Sequence, residues 1–145
     1  RTARSLTSST TNFPWPMTTA PLADSSIWIA ALRDPNSWIR QQIEADRPVA
    51  YTEPVVMEVL SGTRSEREVR AMRAFVARGP LVRFDAAADF EGAAAIYAAA
   101  RRRGFTPNSH VDCMIIAVAL RNDLPLVTLD TQQAAIAEIF GVSVI

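Results

Sequence analysis

Four acidic residues stand in or beside short apolar runs of the chain. They are, in chain order, Asp24, Glu58, Asp112 and Asp130. An ionised carboxylate at the edge of an apolar segment is costly unless a positive charge meets it. Carboxylate oxygens are the ligands that hard divalent cations such as Mg²⁺ and Mn²⁺ prefer. The four acids therefore predict a shared site for one such ion, which would relieve their mutual repulsion.

Each acid also has an ordinary structural explanation. An aspartate near the start of a helix commonly caps it, and for any one acid alone this explanation is the stronger. The metal-site hypothesis therefore depends on the four acids together. Two hydroxyl side chains, Ser25 and Thr128, lie beside Asp24 and two residues before Asp130. They could orient ligands or waters, although strand-end and helix-cap hydrogen bonds explain them equally well.

The segments that must position these acids alternate between short apolar strands and helices. We predict strands at 18–23, 48–51, 81–84, 125–129 and 142–145. Such alternation is typical of an α/β fold with a mainly parallel central sheet flanked by helices. Ligands bind beyond the carboxyl ends of the strands in such sheets. We therefore expect Asp24 and Asp130 to be neighbours at two strand ends, and Glu58 and Asp112 to reach the same crevice from helices.

Seven helices are predicted between the strands. Their expected ranges are 27–32, 38–45, 53–60, 65–78, 86–103, 110–122 and 131–140. Residues 113–120 carry no charge, so the helix that contains them should be buried nearly all round. Ser65 and Glu68 have the spacing of a capping box. Phe90 and Tyr97 are expected on the packed side of their helix.

Length and composition favour one globular domain. The chain has 145 residues, of which 49% are hydrophobic and 21% charged, which is enough for a sizeable core. Residues 1–16 are rich in serine and threonine and are predicted to be a flexible tail. The domain is expected to occupy residues 17–145, with Met17 opening the folded part.

The same composition excludes several kinds of chemistry. Fifteen basic residues balance fifteen acidic ones, so net charge gives no support for nucleic-acid binding. Every basic residue is arginine, which excludes mechanisms that need an ammonium group. One cysteine and one histidine cannot form a disulfide or a usual zinc site. No apolar stretch approaches the ~20 residues of a membrane span, and we expect a cytoplasmic protein.

Two arginine clusters are candidates for contact with nucleic acid. Arg64 and Arg67 belong to one cluster, and Arg101 and Arg102 to the other. Such clusters could neutralise phosphates, but charged runs more often mark a solvated helix face. Two tryptophans, Trp28 and Trp38, are expected in core or dimer packing rather than as base-stacking platforms.

Four short motifs, taken in order, resemble the PIN domain and, more narrowly, the VapC toxins of bacterial toxin–antitoxin pairs. The resemblance covers the chain from about Leu22 to its end. The motifs are Asp24-Ser25-Ser26, Met57-Glu58-Val59-Leu60-Ser61-Gly62, Asp112-Cys113-Met114-Ile115-Ile116-Ala117 and Thr128-Leu129-Asp130.

The resemblance implies a metal-dependent endoribonuclease that inhibits translation. Asp24, Glu58, Asp112 and Asp130 would hold Mg²⁺ or Mn²⁺. The substrate would be a structured RNA such as tRNA or rRNA, cut to leave a 5′-phosphate and a 3′-hydroxyl. The family also implies a VapB-type antitoxin from the same operon and a toxin homodimer.

One departure from the family pattern supports a competing hypothesis. Many relatives carry another acid two residues after the position of Asp130, where this chain has Gln132. This puts a second metal in doubt and favours, as an alternative, a weak or inactive module that binds RNA or antitoxin. A phosphoaspartate protein, such as a receiver domain, also places aspartates at strand ends, but it usually needs a lysine that this chain lacks.

Overall fold

The computed structural model describes residues 19–145. The predicted tail at 1–16, Met17 and the start of the first predicted strand at Thr18 lie outside the described residues. In residues 19–145 two short strands and seven helices form. They are β1 (Leu22–Ala23), α1 (Ser25–Arg33), α2 (Trp38–Glu44), α3 (Glu53–Ser61), α4 (Glu66–Val76), α5 (Ala86–Arg102), α6 (His110–Arg121), β2 (Leu126–Val127) and α7 (Thr131–Ile139).

The sheet is parallel, as predicted, but narrow. β1 pairs with β2, with Leu22 opposite Leu126. Three single parallel bridges extend it on both sides, and they join Leu22 to Ala50, Tyr51 to Leu81 and Leu126 to Val144. All five predicted strand segments therefore lie side by side in one parallel sheet of an α/β fold.

The predicted strands at 48–51, 81–84 and 142–145 are too long, because the first contributes only two isolated bridges and the other two contribute one each. The first and fourth strands shrink to two residues each. A proline starts or precedes three of the five predicted segments, at Pro48, Pro80 and Pro125, and Pro21 lies inside the first. Proline has no backbone N–H and so removes a ladder donor, which shortens the regular pairing.

The helices confirm the predicted ranges to within two residues at each end. The prediction for α6 is confirmed for Cys113 and residues 115–119, which are all buried, and is wrong for Leu120, which is 46% exposed. Trp28 is fully buried and packs edge-on against Tyr51 and Phe75, with ring centroids 6.4 and 5.8 Å away. Burial of this apolar surface is the main term that stabilises the fold.

Three local predictions need correction. Phe90 is 53% exposed and contacts Phe84 edge-on rather than the core. Trp38 is 44% exposed, so it is not a core residue, and its packing in a dimer stays a prediction. Glu68 accepts a hydrogen bond from the backbone N–H of Arg64 instead of completing the capping box, although Ser65 does cap α4.

None of the helices formed by residues 19–145 combines the length and the hydrophobicity needed to span a bilayer.

Candidate active site

Asp24 lies at the carboxyl end of β1 and is the N-cap of α1. Its Oδ1 accepts hydrogen bonds from the backbone N–H of Ile27 (3.3 Å) and from the Ser26 hydroxyl (2.5 Å). The Thr128 hydroxyl lies 2.8 Å from its Oδ2. The carboxyl group is almost completely buried. Both of its oxygens are therefore engaged with hydroxyl groups, and one hydroxyl comes from the neighbouring strand segment.

Asp130 occupies the equivalent position after β2. It is the N-cap of α7, where its Oδ1 accepts from the backbone N–H groups of Gln132 and Gln133. Its own N–H donates to the Thr128 hydroxyl over 3.0 Å. The cap explanation is correct for both aspartates, and the predicted placement at neighbouring strand ends is confirmed as well. Capping fixes their backbone positions and leaves their carboxylates at one edge of the sheet.

Glu58 reaches this edge from α3. The Ser25 hydroxyl, in the first turn of α1, donates to Glu58 Oε1 over 2.5 Å. Two hydroxyls predicted to assist the acids, those of Ser25 and Thr128, therefore do contact carboxylates, of Glu58 and Asp24 respectively. The hydroxyl of the adjacent Ser26 also donates to a carboxylate, that of Asp24, although no role was predicted for it.

Asp112 lies in the first turn of α6, where Ser109 is the N-cap. Its partial burial, together with the negative charges of Glu58, Asp130 and Asp24, raises its pKa from 3.8 to about 6. Each of the other three carboxylates is near enough to Asp112 for its charge to act on that pKa. The tertiary structure thus brings the four predicted acids into one electrostatic cluster.

Burial raises the pKa of Asp24 as well. The hydrogen bonds from Ser26, Thr128 and Ile27 lower it, but they do not offset the loss of solvation. In the part of the chain that the structure describes, no basic side chain forms an ion pair with any of the four acids. The cluster is therefore a region of uncompensated negative charge.

The donor chemistry of this cluster fits a hard divalent cation, since all four candidate ligands are carboxylates with unrelieved repulsion. As the side chains stand, however, residues 19–145 contain no group of three or more His, Cys, Asp or Glu arranged to hold a metal ion. Hydrogen bonds from Ser26 and Thr128 hold the two oxygens of Asp24 in their present positions. Oδ2, which receives the Thr128 hydrogen bond, keeps a second lone pair for a cation.

Gln133 is a residue that the sequence analysis missed. It is 1% exposed, and its Oε1 lies 2.8 Å from the Thr128 hydroxyl. Its Nε2 donates to the backbone carbonyl of Asp112 over 3.4 Å. A signal was present, because residues 133, 136 and 137 lie on the same buried face of α7. A glutamine on an apolar helix face needs polar partners.

The predicted RNA-contacting arginines stand apart from the acids. Arg64 and Arg67 lie in and just after the turn between α3 and α4, and Arg101 and Arg102 end α5. All four are exposed. No hydrogen bond or ion pair within residues 19–145 links them to the acidic cluster.

Comparison with known proteins identifies the family. The family model of the PIN domain matches residues 22–139. A VapC ribonuclease of Mycobacterium bovis and ribonuclease VapC11 of Mycobacterium tuberculosis are each 36% identical to this chain over an alignment of 124 residues. Each alignment covers 81% of this chain and 92% of the relative.

The chain belongs to the VapC family of PIN domains.

Solved structures agree on the fold. A DNA-bound VapBC complex from Salmonella typhimurium contains a chain with a TM-score of 0.73 and 21% identity, which covers 88% of this chain and 97% of that one. VapBC-5 from Mycobacterium tuberculosis gives a TM-score of 0.61 at 22% identity, covering 90% and 98%. The resemblance stated from four short motifs is thus confirmed for this VapC chain, as is its α/β fold.

Proposed function

We propose that the chain is a Mg²⁺-dependent endoribonuclease, the toxin of a type II toxin–antitoxin pair. It would hydrolyse phosphodiester bonds in a structured RNA, tRNA or rRNA, in the cytoplasm and so inhibit translation. One observation carries the proposal: Glu58, Asp130 and Asp24 all lie near enough to Asp112 for their charges to add to its burial in raising its pKa to about 6. The curated relatives at 36% identity are named ribonucleases, which supports the same activity.

Asp24, Glu58, Asp112 and Asp130 would hold the ion, with Mn²⁺ as a substitute for Mg²⁺. When bound, such an ion supplies positive charge beside the phosphate and lowers the pKa of water. Gln132 carries no charge and bonds the carbonyl of Thr106 instead of facing the acids. A single ion is therefore the simpler expectation.

The other residues of the site fix the carboxylates. Ser25 holds Glu58, and Ser26 and Thr128 hold Asp24, each through a hydrogen bond of 2.5 to 2.8 Å. Burial and three neighbouring negative charges raise the pKa of Asp112 to about 6 in the metal-free protein, and a bound cation would favour its ionised form. The hydroxyls keep the carboxylates in place before substrate arrives, which reduces reorganisation during the reaction.

RNA phosphates are the proposed partners of Arg64, Arg67, Arg101 and Arg102. These side chains are exposed and are therefore free to meet phosphates of a bound RNA. Each such contact releases counterions, and binding should weaken as salt rises.

A VapB-type antitoxin is the proposed protein partner, together with a second copy of the toxin. Several solved structures of the same fold are VapBC complexes, and some of these are described as bound to DNA. An antitoxin would silence the site by placing a positive group against the uncompensated acids.

The alternative is a module with this fold that binds RNA or antitoxin without cleavage. Gln132 favours it, because many relatives have an acid there, as does the lack of a complete ligand arrangement among residues 19–145.

Cleavage of total RNA by the antitoxin-free protein separates the two hypotheses. The reactions contain Mg²⁺, Mn²⁺ or EDTA, and Asp24→Asn is purified in parallel to control for contaminating nuclease. Asp46→Asn is a matched control, since Asp46 is exposed and its φ of 55° is one that asparagine tolerates.

Cuts at defined sites that need both the metal and Asp24, and that persist in Asp46→Asn, are the expected result. A folded, metal-supplied protein that cuts nothing would replace the nuclease proposal with the binding module.

A further inference from the structure

One aromatic pair of the molecule is stacked face to face and partly open to solvent. The rings of Tyr97 on α5 and His110 on α6 have centroids 4.4 Å apart and are inclined by 4°. The ring contacts of Trp28 and Phe90, by contrast, are edge-on. Tyr97 is half-buried and His110 is exposed. Tyr97 therefore covers one face of the imidazole, and solvent reaches the imidazole at its other face and its edge.

This stacked pair lies beside the acidic cluster. Asn108 donates from Nδ2 to Asp130 Oδ2 over 3.3 Å, and Asp112 belongs to the cluster itself. His110 lies between Asn108 and Asp112 in the chain and begins α6. Side chains two positions apart on a helix do not face each other. The imidazole is therefore next to the cluster but is turned away from its carboxylates, toward α5.

An arginine continues the surface that the pair forms. Arg101 follows Tyr97 by four residues, so the two side chains are neighbours on the same face of α5. Arg101 is exposed and forms no ion pair with another of residues 19–145. A flat ring beside a cation matches the two parts of a nucleotide, which are its base and its phosphate.

The charge of the site favours a contact of this kind. The uncompensated carboxylates repel the phosphates of an RNA, and the net charge of the chain is zero, so long-range attraction gives little affinity. Unpaired RNA bases stack on aromatic side chains, histidine included, and this stacking adds affinity without a charge. The contact with Tyr97 also orders the imidazole before RNA arrives, which reduces the entropy lost on binding.

We propose that His110, supported by Tyr97, stacks on a nucleobase of the bound RNA, and that Arg101 contacts a phosphate next to that base. The base belongs to an unpaired nucleotide that flanks the scissile phosphate, because the imidazole is turned away from the acids. The inference rests on the proposed function for the position of the RNA, but it requires only RNA binding and not cleavage.

The test measures the affinity of the full chain for a fluorescently labelled RNA stem-loop of mixed loop sequence, by fluorescence anisotropy in EDTA. In a second set of RNAs, each loop nucleotide in turn is abasic. The protein variants are His110→Ala, which removes the ring, and His110→Phe, which keeps a flat ring without nitrogen atoms. Phe90→Ala is the matched control, because Phe90 is also an exposed aromatic residue of α5 with a ring partner, Phe84.

His110→Ala is expected to weaken RNA binding about tenfold, which corresponds to ~1.4 kcal/mol. His110→Phe should bind within about twofold of the unmodified protein, and Phe90→Ala should show no change. One abasic RNA should bind the unmodified protein about tenfold more weakly than the complete RNA does. The same base removal should cost His110→Ala less than about twofold, since the ring and the base act through one contact.

The salt dependence of binding separates stacking from a charge contact. Arg101→Gln should reduce the slope of log Kd against log salt by ~0.7, the value for one phosphate contact to a single strand. His110→Ala should leave the slope unchanged. A reduced slope in His110→Ala, together with weak binding by His110→Phe, would show that the imidazole contacts a phosphate and would overturn the inference.

Two other results would also overturn it. One is that every base removal costs the unmodified protein and His110→Ala equally, which leaves the pair only a structural role, and the other is that the unmodified protein binds no RNA. Cleavage in Mg²⁺ is measured separately. A base contact that depends on His110 without any cleavage supports the inference and contradicts the nuclease proposal, whereas cleavage without such a contact contradicts the inference alone. Circular dichroism reports on folding, and His110→Gln, a second variant without a ring, replaces His110→Ala if the latter does not fold.

Discussion

Two buried aspartates of this molecule behave in opposite ways. Asp89 on α5 is 2% exposed. Arg121 donates two hydrogen bonds to its carboxylate, from Nε to Oδ1 at 2.8 Å and from Nη2 to Oδ2 at 2.7 Å. Burial alone would raise its pKa, but the hydrogen bonds and charge of Arg121 bring the pKa below the ordinary value. Asp24 is 3% exposed and has only hydroxyl and backbone donors. Its pKa is raised, with burial as the largest cause.

Helix α6 connects the two situations, because Asp112 lies in its first turn and Arg121 in its last. Both charges complement the helix dipole. The arginine end ties α6 to Asp89 and to the carbonyl of Arg83. The Asp112 end adds another negative charge to a cluster without cations. The fold thus uses a paired acid for stability at one end and leaves repelling acids at the other, as expected of a functional site.

The largest expected difference between Asp112 and Asp89 is in RNA cleavage. Asp112→Asn is expected to lower RNA cleavage at least ~100-fold, by analogy with the loss of one group that stabilises a transition state. Asp89→Asn is the same chemical change on the neighbouring helix and should leave the cleavage rate of the folded protein nearly unchanged. Initial rates on one defined RNA in Mg²⁺ measure both. An equal loss of the cleavage rate in the two variants would show that Asp112 is no more important for cleavage than Asp89.

Stability should respond in the reverse order. Asp89→Asn leaves the Arg121 guanidinium without its carboxylate, and breaking such a pair costs about 2–3 kcal/mol, a figure reduced because the Arg121 side chain is 34% exposed. Asp112→Asn should cost nothing at pH 7 in EDTA, since it removes a repelling charge. Urea unfolding of both variants tests this. A loss below ~0.5 kcal/mol for Asp89→Asn would show that the pair contributes little.

The pH dependence of stability tests the Asp112 end of α6 by itself. Between pH 4 and about 6 the Asp112 carboxyl binds more protons in the folded, metal-free protein than in the unfolded chain, because burial and neighbouring negative charges raise its pKa from 3.8 to about 6. The contribution of Asp112 to the free energy of unfolding therefore falls as pH rises through this window. Asp112→Asn should flatten that slope. Asp24 keeps part of it, since its pKa is also raised. A slope identical to that of the unmodified protein would contradict the assignment of Asp112.

Much of the site could be predicted from the sequence because its parts are local. Asp24 and Asp130 each follow an apolar strand and begin a helix, so strand ends and caps marked their positions. Glu58 and Asp112 are charges within apolar helices, which are rare enough to be noticed. Ser25 and Thr128 could be predicted to orient ligands or waters, because they are close in sequence to Asp24 and Asp130. The assignment of the four acids as ligands stays a prediction, as do the domain limits at 17–145.

The remainder depended on packing between distant segments. Three features depend on contacts between different elements. They are the extent of each strand, the exposure of Phe90 and the pairing of Asp89 with Arg121. The burial of Gln133 was visible in the pattern of α7, but its contacts with Thr128 and with the carbonyl of Asp112 were not. Local sequence determines which elements form and where charges interrupt them. Tertiary structure decides which charges are compensated, because desolvation and Coulomb energy depend on distances across the fold.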